Sequence, residues 1–150
     1  MNVDEFLRQS GVEFARIQHQ QAFTAQAVAQ AEHVSGKEMA KTVIVKSEDE
    51  FFMLVLQGCK LVDLDKASQV VGAPVEMATE GETKRLFPDV EIGAEPPFGS
   101  QFGLQTFVDS GLAQQPQIVF RAGTHTATIR MSYGDYEKLE KPRVADFAAM

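Results

Sequence analysis

The chain has a single cysteine, Cys59, among 150 residues. It can form no internal disulfide, and no CxxC or HxxxH spacing offers a metal its ligands. No apolar run approaches the ~20 residues that span a bilayer. The first stretch, MNVDEFLRQSG, carries acids where a secretory signal would carry bases and then an apolar core. The expectation is a reducing, cytoplasmic setting with no membrane anchor, no metal and no cofactor. Bases are scarce as well: 14 Lys and Arg stand against 21 Asp and Glu, a formal charge of −7. That sign disfavours DNA binding, in which each phosphate contact needs a cation, although one face can still carry a local basic patch.

The usual signatures of catalysis are also missing. No serine stands in G-x-S-x-G, and neither G-x-G-x-x-G nor G-x-x-x-x-G-K-[ST] occurs to cradle a phosphate. Cys59, after Gly58, reads as filling a small space at the end of an apolar strand, since a catalytic thiol needs a histidine partner.

What is present suffices for one globular domain over residues 1–150, with 44% hydrophobic residues to build a core. Asp4 can start a short helix with Phe6 and Leu7 inward, and GVEFARIQ reads as a strand. Thr24 caps the Ala-rich AQAVAQAEHV, which Gly36 closes. KTVIVK and EFFMLVLQ, separated by SEDE, read as a hairpin with a buried face. Asp63 caps LDKASQVV before Gly72 and Pro74, PVEMA is a short strand, and Thr79 to Glu82 fits a capping box for a helix ending before Pro88. LQTFVD, QIVF and TATIRMS are further strands, the last with one solvated face, and Ser132 starts a final helix ending at Pro142. The order implies an α+β fold of about seven mostly antiparallel strands in a mixed sheet, with four or five helices.

Among the histidines, His19 and His33 lie in polar surroundings and read as surface residues. His125 stands where TATIRMS begins; it is either a turn histidine bonded to nearby backbone or a side chain lining a cleft. Lys41 opens the strand TVIVK, where a lysine can pack its stem and offer its charge to a phosphate or carbonyl oxygen; the alternative is plain solvated surface. The segment IGAEPPFGSQFG places Pro96 and Pro97, which cannot join a sheet ladder, between the flexible Gly93 and Gly99. It is either a crossover loop chosen for topology or a rigid loop whose exposed amides hold an oxyanion.

In order along the chain, TAQAVAQ, MAKTVIVK, VDLDKASQVVGAPVEMATEGE, IGAEPPFG, LQTFVD and FRAGTHTATIRMSYGDYEKL resemble the YbaK family, free-standing relatives of the editing domain inserted in bacterial prolyl-tRNA synthetases. The likeness runs from about Thr24 to Phe147. It implies a curved sheet forming a partial barrel, and a metal-independent deacylase acting in trans on tRNA mischarged with a small amino acid (alanine, cysteine or serine), most plausibly tRNA(Pro). Lys41 matches the family's Lys-Thr pair, and Gly93 to Pro97 match its Gly-x-x-x-Pro loop. The resemblance assigns catalysis to Lys41 and Gly93, and contact with the aminoacyl end to Ala94, Glu95, Pro96, Pro97 and His125. Many relatives have Gly-Ala-Val-Ser-Pro; Glu95 and Pro96 depart from that pattern. Aminoacyl-tRNA, through its 3′ end, and prolyl-tRNA synthetase are the implied partners, with phosphate contacts from Lys41, Lys46, Lys84 or Arg130. A non-catalytic module gripping the tRNA end or a synthetase, and a regulator binding a free amino acid, remain open alternatives.

Overall fold

In the computed structural model, residues 2–18 and 35–149 are described; Thr24 and the helix it was expected to cap, with His19 and His33, lie outside them. The strands are β1 (Phe14–Gln18), β2 (Ala40–Ser47), β3 (Glu50–Gln57), β4 (Leu61–Val62), β5 (Glu76–Met77), β6 (Gln105–Asp109), β7 (Gln117–Arg121), β8 (Ala127–Ser132), β9 (Arg143–Ala145) and β10 (Ala148–Ala149). Between them lie helices α1 (Val3–Ser10), α2 (Leu64–Val71), α3 (Glu80–Leu86), α4 (Ser110–Ala113) and α5 (Tyr133–Glu140), and a 3₁₀ turn over Gly99–Phe102. This is the expected α+β architecture.

Among the described residues the strands form sheets of order β5-β2-β3-β6-β9, β1-β8-β7 and β10-β4, in which β3–β6 and β6–β9 run parallel and the other pairs antiparallel. A parallel bridge between Met39 and Val119 joins the first two sheets edge to edge. The result is one curved surface that does not close into a barrel.

β3 explains the layering. Its apolar run does not alternate with polar residues because both of its faces are buried. Met53 and Val55 join the larger core, with Ile118, Phe120, Ile129, Phe98 and Tyr136, while Phe52, Leu54 and Leu56 join a second core under α2, with Ala67 and Phe147. β2 and β3 form the hairpin the sequence predicts, with Ser47 opposite Glu50.

Local capping chemistry sets most of the helix ends. Asp63 accepts from the amides of Asp65 and Lys66, Thr79 and Glu82 form a reciprocal capping box, and Ser132 accepts from Asp135. Two local readings change. Asn2, not Asp4, caps α1, because the helix begins two residues earlier and buries Val3. The second face of β8 is solvated only in part: Thr128, in register between Ile17 and Arg121 on the central strand, is fully buried, whereas Thr126 and Arg130 are half-buried and Ser132 is exposed.

Candidate active site

Backbone pairing assembles the site. At the start of β2, Glu38 O accepts from Val119 N (2.9 Å) and Met39 O accepts from Gly58 N (2.7 Å). With Met39 bridged in parallel to Val119, Lys41 runs alongside Arg121, two residues further on each strand. The segment 121–125 then straps down the loop containing Gly93. Gly123 N donates to Ala94 O (3.0 Å), Glu91 N donates to Gly123 O (3.0 Å), and Arg121 Nη1 donates to Gly93 O (3.3 Å). His125 Nε2 lies 2.7 Å from Ile92 O. A carbonyl can only accept, so Nε2 carries the proton in this contact.

The outcome is a narrow pocket of about 20 Å³ lined by Met39, Ala40, Lys41, Thr42, Gly93, Glu95 and Arg121. Its polar groups are unusual for their depth. Glu95 is 8% exposed. Burial pushes its carboxyl above the usual carboxylate range, while the amides of Glu95, Gly93 and Ala94, and His125, pull the other way. Burial also lowers the pKa of Arg121, against the attraction of Glu95. Among the described residues, Glu95 Oε2 and Arg121 Nε and Nη2 are buried without a hydrogen-bond partner. Lys41 is half-buried, with its ammonium pKa lowered by that burial and the nearby Cys59 acting the other way. No salt bridge to a described residue engages it.

Of the residues expected at the site, Lys41, Gly93 and Glu95 therefore converge. Ala94 is fully buried, its amide donated to Glu91 O (3.0 Å). Pro96 faces a different concavity, of about 570 Å³, with Val90, Phe102, Gly123 and Thr124. Pro97 O accepts from Tyr136 Oη (2.8 Å). His125 lies behind the loop, its ring 3.4 Å from where a Cβ on Gly93 would stand; with Gly93 at φ +87°, a side chain there would be strained as well as crowded. The loop is thus rigid, but its amides are not the open set that spacing suggested: Ala94's donates to Glu91 O, and the amides of Gly93, Ala94 and Glu95 all act on the Glu95 carboxylate.

Beyond Pro97 the segment is anchored on α5. Phe98 packs its ring against Phe6, Phe120 and Tyr136 at centroid distances of 5.3, 5.7 and 5.2 Å. Gly99 approaches Thr106 so closely that a Cβ would stand 2.5 Å from Oγ1. Larger concavities exist elsewhere, one of about 810 Å³ beside the β2–β3 turn. That one is lined by turn residues including exposed acids and lacks the buried charged groups that distinguish the pocket at Lys41.

Arg121 was missed by sequence reasoning. It ends the strand QIVFR, an arginine after three apolar residues that read as core, and that contrast is the signal that could have found it. Cys59 is exposed on the turn after β3 rather than filling a space. Lys46, a candidate phosphate contact, is instead paired with Glu82 (2.7 Å) and Glu76 (3.6 Å). Among the described residues no three His, Cys, Asp or Glu side chains cluster as metal ligands, and no helix is long and apolar enough to cross a membrane.

Residues 19–139 match the family model described as an aminoacyl-tRNA editing domain. Among solved structures, a candidate trans-editing enzyme for prolyl-tRNA synthetase is 26% identical, with TM-score 0.86 over 99% of this chain and 95% of that one. The hypothetical protein APE2540 shares the fold at 23% identity, with TM-score 0.90 over 98% of this chain and 99% of that one. No match is found among curated proteins.

Proposed function

The chain belongs to the aminoacyl-tRNA editing domain family, and from that premise we propose that it is a deacylase acting in trans on tRNA mischarged with alanine, cysteine or serine, with tRNA(Pro) as the favoured carrier. The observation that carries the reading is the convergence of Lys41, Gly93, Glu95 and Arg121 on one pocket.

The chemistry asks little of the protein. An aminoacyl ester is already activated; water bonds to its carbonyl carbon, the ester C–O bond breaks, and the ribose oxygen leaves with a proton. Orientation and stabilisation of the oxyanion account for much of such a rate enhancement. Lys41, partly desolvated and with no carboxylate partner among the described residues, is suited to meet the ester oxygen or the terminal phosphate. Gly93 lets the substrate approach where any side chain would intrude. The reaction needs no metal, because the charge that develops on the carbonyl oxygen can be met by fixed cations. The narrow pocket favours a small amino acid. The net charge of −7 suits a protein with few phosphate contacts that borrows affinity from a synthetase such as prolyl-tRNA synthetase.

The test is a deacylation panel of alanyl-, cysteinyl- and seryl-tRNA(Pro), with and without prolyl-tRNA synthetase. At least one ester should be released more than about tenfold above the spontaneous rate, a modest demand for catalysis. A protein that shifts these tRNAs in a gel yet releases no amino acid is a binding module, and the reading fails.

A further inference from the structure

Resting on the deacylase reading, the geometry points to Glu95 Oε2 as the docking point for the substrate's α-ammonium group, with Arg121 holding the adjacent carbonyl oxygen. Three observations converge. The pocket, at about 20 Å³, admits roughly one water-sized group. Glu95 and Arg121 both line it, and Glu95 Oε2 and Arg121 Nε and Nη2 are buried without a hydrogen-bond partner among the described residues. Both side chains are held in place: Glu95 lies in a loop strapped to 121–125, and Arg121 is anchored through Nη1 on Gly93 O.

An alanyl ester offers two groups of that size at its α-carbon, a methyl and an ammonium. A methyl would leave the buried carboxylate oxygen unsatisfied, at a cost, whereas an ammonium donates to it in a charge-assisted hydrogen bond. The neighbouring ester carbonyl needs donors, which Arg121 Nε and Nη2 supply. An acceptor beside paired donors is the complement of an ammonium beside a carbonyl. Among the described residues, the charged and titratable groups about this point are Lys41 from β2, with Cys59 near it, Arg121 from β7, and His125 from the turn between β7 and β8. Without Glu95 the incoming ammonium would meet Lys41 and Arg121 uncompensated, so the carboxylate matters more than a single neutral hydrogen bond would.

The experiment compares alanyl-tRNA(Pro) with its isostere 2-hydroxypropionyl-tRNA(Pro), in which a hydroxyl replaces the ammonium. Each rate is divided by the spontaneous hydrolysis of the same ester. Wild type should prefer the amino ester by about 30-fold or more in kcat/KM, Glu95→Gln should lose that preference while cleaving the hydroxy ester within a few-fold of wild type, and Glu95→Asp should keep part of it. Thermal melts identify any variant that fails to fold, and the wild-type preference stands as a readout of its own. Equal normalised cleavage of both esters by wild type, or an equal fall on both in Glu95→Gln, overturns the assignment and leaves the deacylase reading intact. Cleavage of neither ester, together with an inactive panel, overturns both.

Discussion

Glu95, inside the Gly-x-x-x-Pro match, and Glu140, bonded to Ser100 just beyond it, are both buried, and burial raises the pKa of both. Their surroundings differ. Glu140 accepts from Ser100 N (3.0 Å), Ser100 Oγ (2.6 Å) and Thr106 Oγ1 (2.5 Å), so a helix residue ties the loop to β6. Glu95 leaves one oxygen without a partner among the described residues and stands beside a half-satisfied arginine. A buried carboxylate with its full complement of donors holds structure together, whereas one that keeps an unfilled acceptor at a pocket wall is available to a ligand. The segment is thus divided: from Pro97 to Gly103 it is fastened, and from Gly93 to Glu95 it is shaped for contact.

That division can be broken from either side. The largest effect is expected at the contact side: Lys41→Ala should lower kcat/KM for deacylation by about 100-fold or more with the melting transition nearly unchanged, since the proposed function sets its charge on the ester and it makes no salt bridge to a described residue. Full activity in that variant would remove Lys41 from the site. On the fastened side, Glu140→Ala strands three donors and should destabilise by about 3 kcal/mol in urea unfolding, while Glu95→Ala, which removes an incompletely satisfied charge, should cost less than about 1 kcal/mol. Equal losses would erase the distinction between the two glutamates. Tyr136→Phe removes one hydrogen bond to Pro97 O and should cost about 1 kcal/mol.

The smallest effect is in pH. The folded protein binds protons at Glu95 and Glu140 more tightly than the unfolded chain does. Stability contributed this way is fully present below the unfolded carboxylate value near 4.5 and is lost as pH rises through the raised folded values. Glu95→Gln should flatten part of that decline, and an unchanged stability–pH slope would argue against a buried ionisable Glu95.

Much of the fold was legible because its determinants are local. The Asp63, Thr79–Glu82 and Ser132 caps and the β2–β3 hairpin each depend on residues within a few positions of one another. The site was legible in part. Strand and loop context left Lys41 and Gly93 open between structural and functional readings, and it was the resemblance to the YbaK family that singled them out. Arg121 was not, because its place beside Lys41 depends on a bridge between Met39 and Val119, residues 80 positions apart, and no local pattern records such a pairing. For the same reason the direction of Pro96 and the burial of Thr128 were out of reach: which way a loop proline or a strand's second face points is decided by what is packed against it.

The most direct test of the central claim, that fixed charges on a rigid loop and strand suffice for hydrolysis, is the rate of alanine release from alanyl-tRNA(Pro) by the chelator-treated wild-type protein. Catalytic release at the rate seen without EDTA is expected. Release that stops in EDTA and returns on adding zinc, or tRNA binding with no release in either condition, would contradict it.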